Sequence, residues 1–274
     1  MAWGDYERQI LEVWNRLLDS VAVSEADIQN FLEDHPSMVP GAFGMNGPSG
    51  HSPYPAALIA QPKLPGFSDR VPDFMWLASD SGTNYAVMVE IETPQKRWFN
   101  RSGAPTADFT QAQNQLRDWR QWFDSPMNKQ LFMERFYSTS HNRKAFIPQY
   151  VLIIGRRSEF SDSPKLNQKR FSLQNEQEYY MTFDRLMPDR KCHDYITVKN
   201  KGDDFIAVSI PPTVKLGPCF AEYWSRVAGK EAAAERSVLL SSERKNFLSS
   251  RFSYWDGLGR TPELIRFRNM GDWE

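Results

Sequence analysis

The stretch Pro72-Asp-Phe-Met-Trp-Leu-Ala-Ser-Asp-Ser-Gly-Thr-Asn-Tyr-Ala-Val-Met-Val-Glu-Ile-Glu92 decides how the rest of the chain is read. An apolar run from Asp73 to Ala78, the turn-formers Ser79 to Thr83 and a second apolar run from Tyr85 to Glu90 make the pattern of a β-hairpin. Side chains two apart on a strand share a face, so Glu90 and Glu92 point the same way and Asp73 approaches them from the neighbouring strand. Val87, Val89 and Ile91 are β-branched and apolar, which sets this strand inside a sheet rather than at its rim. On a rim the same acids would be a solvated face, with Asp73 a turn residue after Pro72; at the end of a buried strand they need a partner. Three converging carboxylates form a hard-oxygen cage for Mg²⁺ or Mn²⁺, ions that polarise a phosphodiester and lower the pKa of an attacking water.

Composition frames this reading. The chain has 274 residues, 41% hydrophobic and 14% aromatic, enough for one large domain or a domain with an appendage. Its net charge of −1 carries no global nucleic-acid signature, so any basic surface must be local. The acidic start Met1-Ala-Trp-Gly-Asp-Tyr-Glu-Arg8 is unlike a secretory signal and no apolar run reaches membrane length, so a cytoplasmic location without a membrane partner is expected. Cys192 and Cys219 are far apart and lack Cys-x-x-Cys spacing, which reads as two reduced thiols rather than a disulfide framework or zinc site.

Outward from the hairpin, Tyr6, Ile10, Val13, Trp14, Leu17, Leu18 and Val21 recur at helical spacing and predict an amphipathic first helix. Ser24-Glu-Ala-Asp27 resembles a capping box, opening a second helix with Ile28, Phe31 and Leu32 as its buried stripe. Glu33 and Asp34 at its carboxyl end oppose the helix dipole, which hints at a function for one of them against simple exposure. Residues 40–72 are rich in Gly, Pro and Ser and read as irregular apart from Ala56-Ala-Leu-Ile-Ala60. Beyond the hairpin, Gln95 to Pro105 holds Lys96, Arg97 and Arg101 with Trp98 and Phe99 and no acid. That loop is the local candidate for a nucleic-acid contact, against a solvated loop with Trp98 folded onto the core. A helix over 107–123 carries Leu116, Trp119 and Phe123 as its packing stripe and Gln111 and Gln115 as a neighbouring polar stripe. Pro148 to Gly155 reads as a central buried strand, 165–177 as a helix and Tyr179 to Phe183 as a strand. Tyr195-Ile-Thr-Val-Lys199 and Phe205 to Ile210 form a further hairpin, followed by a mainly helical stretch over 220–252.

Six segments in order then carry a resemblance: Phe31-Leu-Glu-Asp-His-Pro36, Val71-Pro-Asp-Phe74, Met88-Val-Glu-Ile-Glu-Thr-Pro94, Gln111-Ala-Gln-Asn-Gln-Leu-Arg-Asp-Trp119, Tyr150-Val-Leu-Ile-Ile-Gly-Arg156 and Thr182-Phe-Asp-Arg-Leu-Met187. Over roughly residues 24 to 188 they resemble the nuclease domain of the Shedu antiphage defence proteins, within the PD-(D/E)XK superfamily. The resemblance implies an α/β fold with a restriction-endonuclease-like core, a mixed central sheet flanked by helices. It also implies metal-dependent cleavage of DNA and a role in immunity against phage. It divides the chain into an N-terminal helix over 1–23, a nuclease domain over 24–188 and a C-terminal accessory region over 189–274, made of a hairpin and a helical extension. Independently of the resemblance, the carboxyl tail, rich in Arg and aromatics, reads as an accessory or oligomerising element, and a homo-oligomer is the expectation. Carried over to this sequence, Asp73 and Glu90 become the metal-binding acids, with Mg²⁺ or Mn²⁺ as cofactor. Glu33 becomes the acid of the preceding helix, and Gln111 or Gln115 the helical glutamine that faces the site.

One departure from the resemblance matters. Where the family usually has Lys two residues after the second acid, this chain has Glu92. A carboxylate there acts as general base or further metal ligand but stabilises no anion, so Lys96 or a second metal must supply positive charge. The first reading is therefore a DNA endonuclease with Asp73, Glu90 and Glu92 at its centre. The alternative is a catalytically inactive nucleic-acid-binding or sensing module on the same fold. A third reading takes the paired carboxylates as a glycosidase acid and base, which needs no metal.

Overall fold

The computed structural model describes residues 1–45, 50–53, 55–65, 71–137, 144–161, 163–174, 176–202, 204–217 and 225–259. Cys219, the start of the helical stretch expected from 220 and the tail 260–274 lie outside these residues.

The chain opens with helix α1 (Trp3–Asp19), whose buried Tyr6, Ile10, Trp14 and Leu18 recur every four residues. Helix α2 (Glu25–Asp34) starts at a true capping box: the Asp27 amide donates to Ser24 Oγ at 3.2 Å and the Ser24 amide donates to the Asp27 carboxylate at 2.9 Å. Trp14 stacks on Phe31 with centroids 5.0 Å apart, so the N-terminal helix packs into the same core as α2.

Strands β1 (Ala57–Ala60), β2 (Phe74–Ser79) and β3 (Thr83–Ile91) form an antiparallel meander, with Phe74 opposite Val89 and Ser79 opposite Asn84. Asp80 makes the β2–β3 turn, its carboxylate accepting from the Gly82 and Thr83 amides at 2.8 and 2.7 Å and from the Tyr85 hydroxyl at 2.8 Å. Helices α3 (Ala107–Asp124) and α4 (Pro126–Phe136) then cross over to β4 (Ala145–Ile153), which lies parallel to β3 along its whole length. Short helices α5 (Ser158–Ser161) and α6 (Pro164–Ser172) lead to β5 (Glu178–Met181), parallel to β4. On the other side, β6 (Ile196–Lys201) runs parallel to β1 and is followed by β7 (Asp204–Ser209) and β8 (Val227–Ala228). Helices α7 (Lys230–Arg236) and α8 (Ser242–Gly259) close the described chain.

The result is one eight-stranded mixed sheet in the order β5-β4-β3-β2-β1-β6-β7-β8, flanked by helices and consistent with a restriction-endonuclease-like fold. The hairpin expected after residue 189 continues this sheet. Alternation along the strands divides the core. Met75, Ala86, Met88, Tyr150 and Leu152 face α3 and α4, while Phe74, Val87, Val89, Val151 and Ile153 face α1 and α2. No helix among the described residues is long and apolar enough to cross a membrane.

Candidate functional site

The site forms where β2 begins and β3 ends. The Gln61 amide donates to the Asp73 carbonyl at 2.8 Å, which continues the β1–β2 ladder one residue beyond β2 and keeps Asp73 in the pleat. Asp73 therefore shares a face with Met75, and Glu90 shares one with Met88; both lie on the α3 side. Gln61 itself sits at φ 48, a conformation that L side chains adopt at a cost of about 1–3 kcal/mol. The strained backbone thus lies directly beside the first acid.

Asp73 is anchored by its own strand partner. The Ile91 amide donates to Asp73 Oδ2 at 2.8 Å, and the Asp73 and Glu90 carboxyls hydrogen bond to each other. Two carboxyls in that contact share a proton, because like charges in a low-dielectric site do not both ionise. Burial first, and then the charges of Glu25 and Glu92, push Asp73 up to about 7 against the opposing pull of the Ile91 N–H. Burial followed by the charges of Asp73, Glu92 and Glu25 holds Glu90 well above the usual carboxylate range. Glu90 Oε2 is buried and has no hydrogen-bond partner. An orphaned carboxylate oxygen among other acids is an unfavourable arrangement that a cation relieves.

Glu92 behaves differently. It is buried, and its Oε2 forms a close ion pair with Lys96 Nζ, one helical turn's worth of sequence later. Burial raises the Glu92 carboxyl while Lys96 lowers it, with a net upward shift. Burial works against the charge on Lys96, yet the contact with Glu92 and the charges of Asp108 and Glu25 leave it raised. The loop after β3 is fixed by close packing: Gly155 has φ +71, and a Cβ there would lie 2.6 Å from the Lys96 carbonyl.

Several expected site residues lie elsewhere or act otherwise. The three-carboxylate cage is not formed; Asp73 and Glu90 are joined, Glu92 turns to Lys96, and among the described residues no three His, Cys, Asp or Glu side chains are grouped to hold a metal ion. Glu33 is occupied by Lys199 Nζ at 2.9 Å and by Gln29 Nε2 at 3.0 Å, while its carbonyl accepts from Ser209 Oγ. It ties α2 to β6 and β7. The acid of α2 whose charge reaches Asp73, Glu90 and Glu92 is Glu25, at the other end of the helix. Ser24-Glu-Ala-Asp27 was legible only as a cap, which hid Glu25. Asp108 in the first turn of α3 also acts on Glu92 and Lys96 and carried no sequence signal. Gln111 is exposed, whereas Gln115 Oε1 is buried without a partner, so of the two glutamines Gln115 turns inward.

The loop read as a nucleic-acid contact is largely a core element. Trp98 is fully buried, donates from Nε1 to the Ile154 carbonyl at 2.7 Å and stacks on Phe109 at 5.1 Å, so it is no base-stacking surface. Glu159 accepts from the Trp98 and Phe99 amides at 3.0 and 2.8 Å and lies 3.8 Å from Arg97. Arg97 and Arg101 stay exposed and Lys96 is held by Glu92. The aromatic spacing that suggested stacking reflects packing beneath α3. Cys192 is buried and its thiol is pushed up by burial, as for an inert structural cysteine.

Comparison with known proteins supplies the context for this geometry. No curated protein matches the chain. The family model described as Shedu protein SduA, C-terminal, matches residues 22–187, which spans α2, the meander, α3, α4 and β4 through to the end of β5. The match covers more than half of the chain and contains every residue of the site, and the chain belongs to the Shedu family.

Proposed function

We propose that this Shedu-family chain is a metal-dependent DNA endonuclease that acts in antiphage defence, hydrolysing phosphodiester bonds at Asp73 and Glu90. The observation that carries the proposal is the buried Asp73–Glu90 pair with its unpartnered Glu90 oxygen at the open ends of β2 and β3. The donor set fits Mg²⁺ or Mn²⁺. Mg²⁺ is commonly held by one or two carboxylates, with waters and substrate phosphate completing its shell, so a third protein carboxylate is not required. When bound, such an ion supplies charge neutralisation at the phosphate and a more acidic water.

The chain's own groups have distinct parts. The Ile91 amide fixes the rotamer of Asp73, so one ligand is oriented before any substrate arrives. In this reading Glu92, whose proton affinity burial raises, takes a proton from the attacking water. Lys96 holds Glu92 in position and brings the positive charge that Glu92 itself lacks. Family membership supports the defence role.

A second reading, a nucleic-acid-binding module without catalysis, is favoured by the mutual neutralisation of Glu92 and Lys96. Incubating supercoiled plasmid with the purified protein in Mg²⁺, Mn²⁺ or EDTA separates the two. Nicking or linearisation that needs the metal and disappears in Asp73→Ala and Glu90→Ala is expected, with loss of phage protection in cells carrying the same variants. A wild-type protein that protects cells yet cleaves nothing with either metal leaves the binding module as the function.

A further inference from the structure

The sequence marks residues 95–105 as the basic surface, but the structure gathers next to it basic side chains that form no ion pair among the described residues. Helix α6 reads Pro-Lys-Leu-Asn-Gln-Lys-Arg-Phe-Ser, with three cations and no acid, and none of its residues is buried. Arg170 lies over the Phe160 ring at 4.7 Å and the Phe171 ring at 5.4 Å, which directs its guanidinium across α5. Arg157, at the start of α5, donates from its amide to Asp184 Oδ2 at 2.6 Å and from its guanidinium to the Asp184 carbonyl at 3.3 Å, which sets it beside Arg185. Among the described residues no ion pair engages Arg157, Arg170, Arg185, Lys165 or Lys169. Phe171 is 63% exposed at the margin of this cluster.

We infer that Arg157, Arg170 and Arg185, with Lys165 and Phe171 of α6, form the surface that takes the sugar-phosphate backbone of duplex DNA flanking the bond held at Asp73 and Glu90. The inference rests on the nuclease reading for the position of the scissile bond. Asp184, the carboxylate that accepts from the Arg157 amide, is already paired with Arg156 Nε at 3.0 Å, so the like charges around it remain unfavourable in the isolated chain and favourable against a polyanion. Burial, and next the charges of Arg185 and Arg157, hold the Arg170 guanidinium below its ordinary value, so the three groups feel one another.

Position on the sheet selects the partner. Strands β3, β4 and β5 are parallel and end in register, Ile91 beside Ile153 and Ile153 beside Met181. Arg157 and Arg185 follow the ends of β4 and β5, so they emerge at the same end of the sheet as Glu90. The lateral offset is one to two interstrand spacings of about 4.8 Å each, a span comparable with a few nucleotides along one strand. Lys169 joins the cluster to the loop after β3 by donating to the Gly103 carbonyl at 2.6 Å. Guanidinium groups also match phosphate geometry, and an exposed ring beside them suits a nucleic acid.

The test is fluorescence anisotropy with a labelled 30-base-pair duplex and the full chain in EDTA, across a salt series, so that binding is read without cleavage. The variants are Arg157→Ala/Arg170→Ala/Arg185→Ala and, as a control of equal charge change, Arg8→Ala/Arg16→Ala/Arg117→Ala at exposed positions elsewhere. The first triple variant should bind at least tenfold more weakly and lose roughly 2 to 3 units of the slope of log K against log salt; the control should match wild type. Equal loss in both triples, an unchanged slope, no duplex binding by wild type at low salt, or a preference for anionic vesicles over duplex would each overturn the inference. Weak binding by the triple variant together with a wild type that never cleaves would keep the surface and remove the nuclease reading instead. A triple variant that binds normally would remove the surface whatever the cleavage assay gives.

Discussion

Replacing Glu90 by Gln should stabilise the metal-free protein at alkaline pH. Glu90 and Asp73 are buried against each other, and Asp73 is pushed up to about 7 from 3.8. The folded state therefore holds its proton more tightly than the unfolded state does. The unfavourable contribution is fully present above about pH 7, shrinks as pH falls towards 3.8 and is absent below it. Three pKa units at about 1.4 kcal/mol each set roughly 4 kcal/mol for Asp73, most of it burial, and what Glu90→Gln removes is the burial and charge penalty on Glu90 itself. Burial of Asp73 persists in Glu90→Gln, and an amide can donate to the Asp73 carboxylate, so a gain of about 1–3 kcal/mol is expected. For a chain of this size that corresponds to about 2–6 °C in melting temperature. The assay is thermal and urea unfolding of wild type and Glu90→Gln in EDTA at pH 8 and pH 5. Glu90→Gln should melt higher at pH 8, by a margin that narrows at pH 5. With millimolar Mg²⁺, wild type should gain stability and the variant much less. A variant that is destabilised at pH 8, or an advantage that is larger at pH 5, would refute the reasoning.

Three further outcomes follow from particular contacts. Trp98→Ala should lower stability by about 3–5 kcal/mol in urea unfolding, because the ring is fully buried beneath α3, and a folded, equally stable variant with weaker DNA binding would contradict that placement. Lys199→Met should destabilise by roughly 1–3 kcal/mol at pH 7, since among the described residues it leaves the buried Glu33 carboxylate with Gln29 as its partner, and the double variant Glu33→Met/Lys199→Met should recover most of the loss. Glu25→Gln removes a charge that raises both Asp73 and Glu90, so the pH at which the metal-free pair titrates, followed by carboxyl chemical shifts in NMR, should fall; an unchanged titration would exclude Glu25 from the site.

Much of the fold was legible because its signals are local. The Asp80 turn and the apolar runs on either side fix the β2–β3 hairpin, and Ser24 with Asp27 fixes the start of α2. Alternation along β3 likewise put Glu90 on the same side as Asp73. What sequence could not give was which long-range partner each charged side chain finds. Glu33 and Glu25 are both on α2, two turns apart, and only the path of the helix over the sheet sends one to Lys199 and the other towards Glu90. Helix α4 was missed, and its apolar positions are short of a clear stripe: Phe132, Met133 and Phe136 are buried while Met127 and Leu131 are exposed. The pairing of β6 with β1 was equally invisible, since a parallel contact between strands more than a hundred residues apart leaves no local pattern. Trp98 shows the opposite error, an aromatic between cations that looked like a stacking platform and is a core residue.

The most direct test of the central claim, that Asp73 and Glu90 hold a divalent cation, is calorimetric titration of Mn²⁺ into the wild-type chain and into Asp73→Ala and Glu90→Ala at pH 7 in two buffers of different ionisation enthalpy. One cation per chain should bind to wild type with release of protons, because the raised carboxyls must ionise to bind it, and that isotherm should vanish in both variants. The same isotherm in wild type and in both variants would contradict the account.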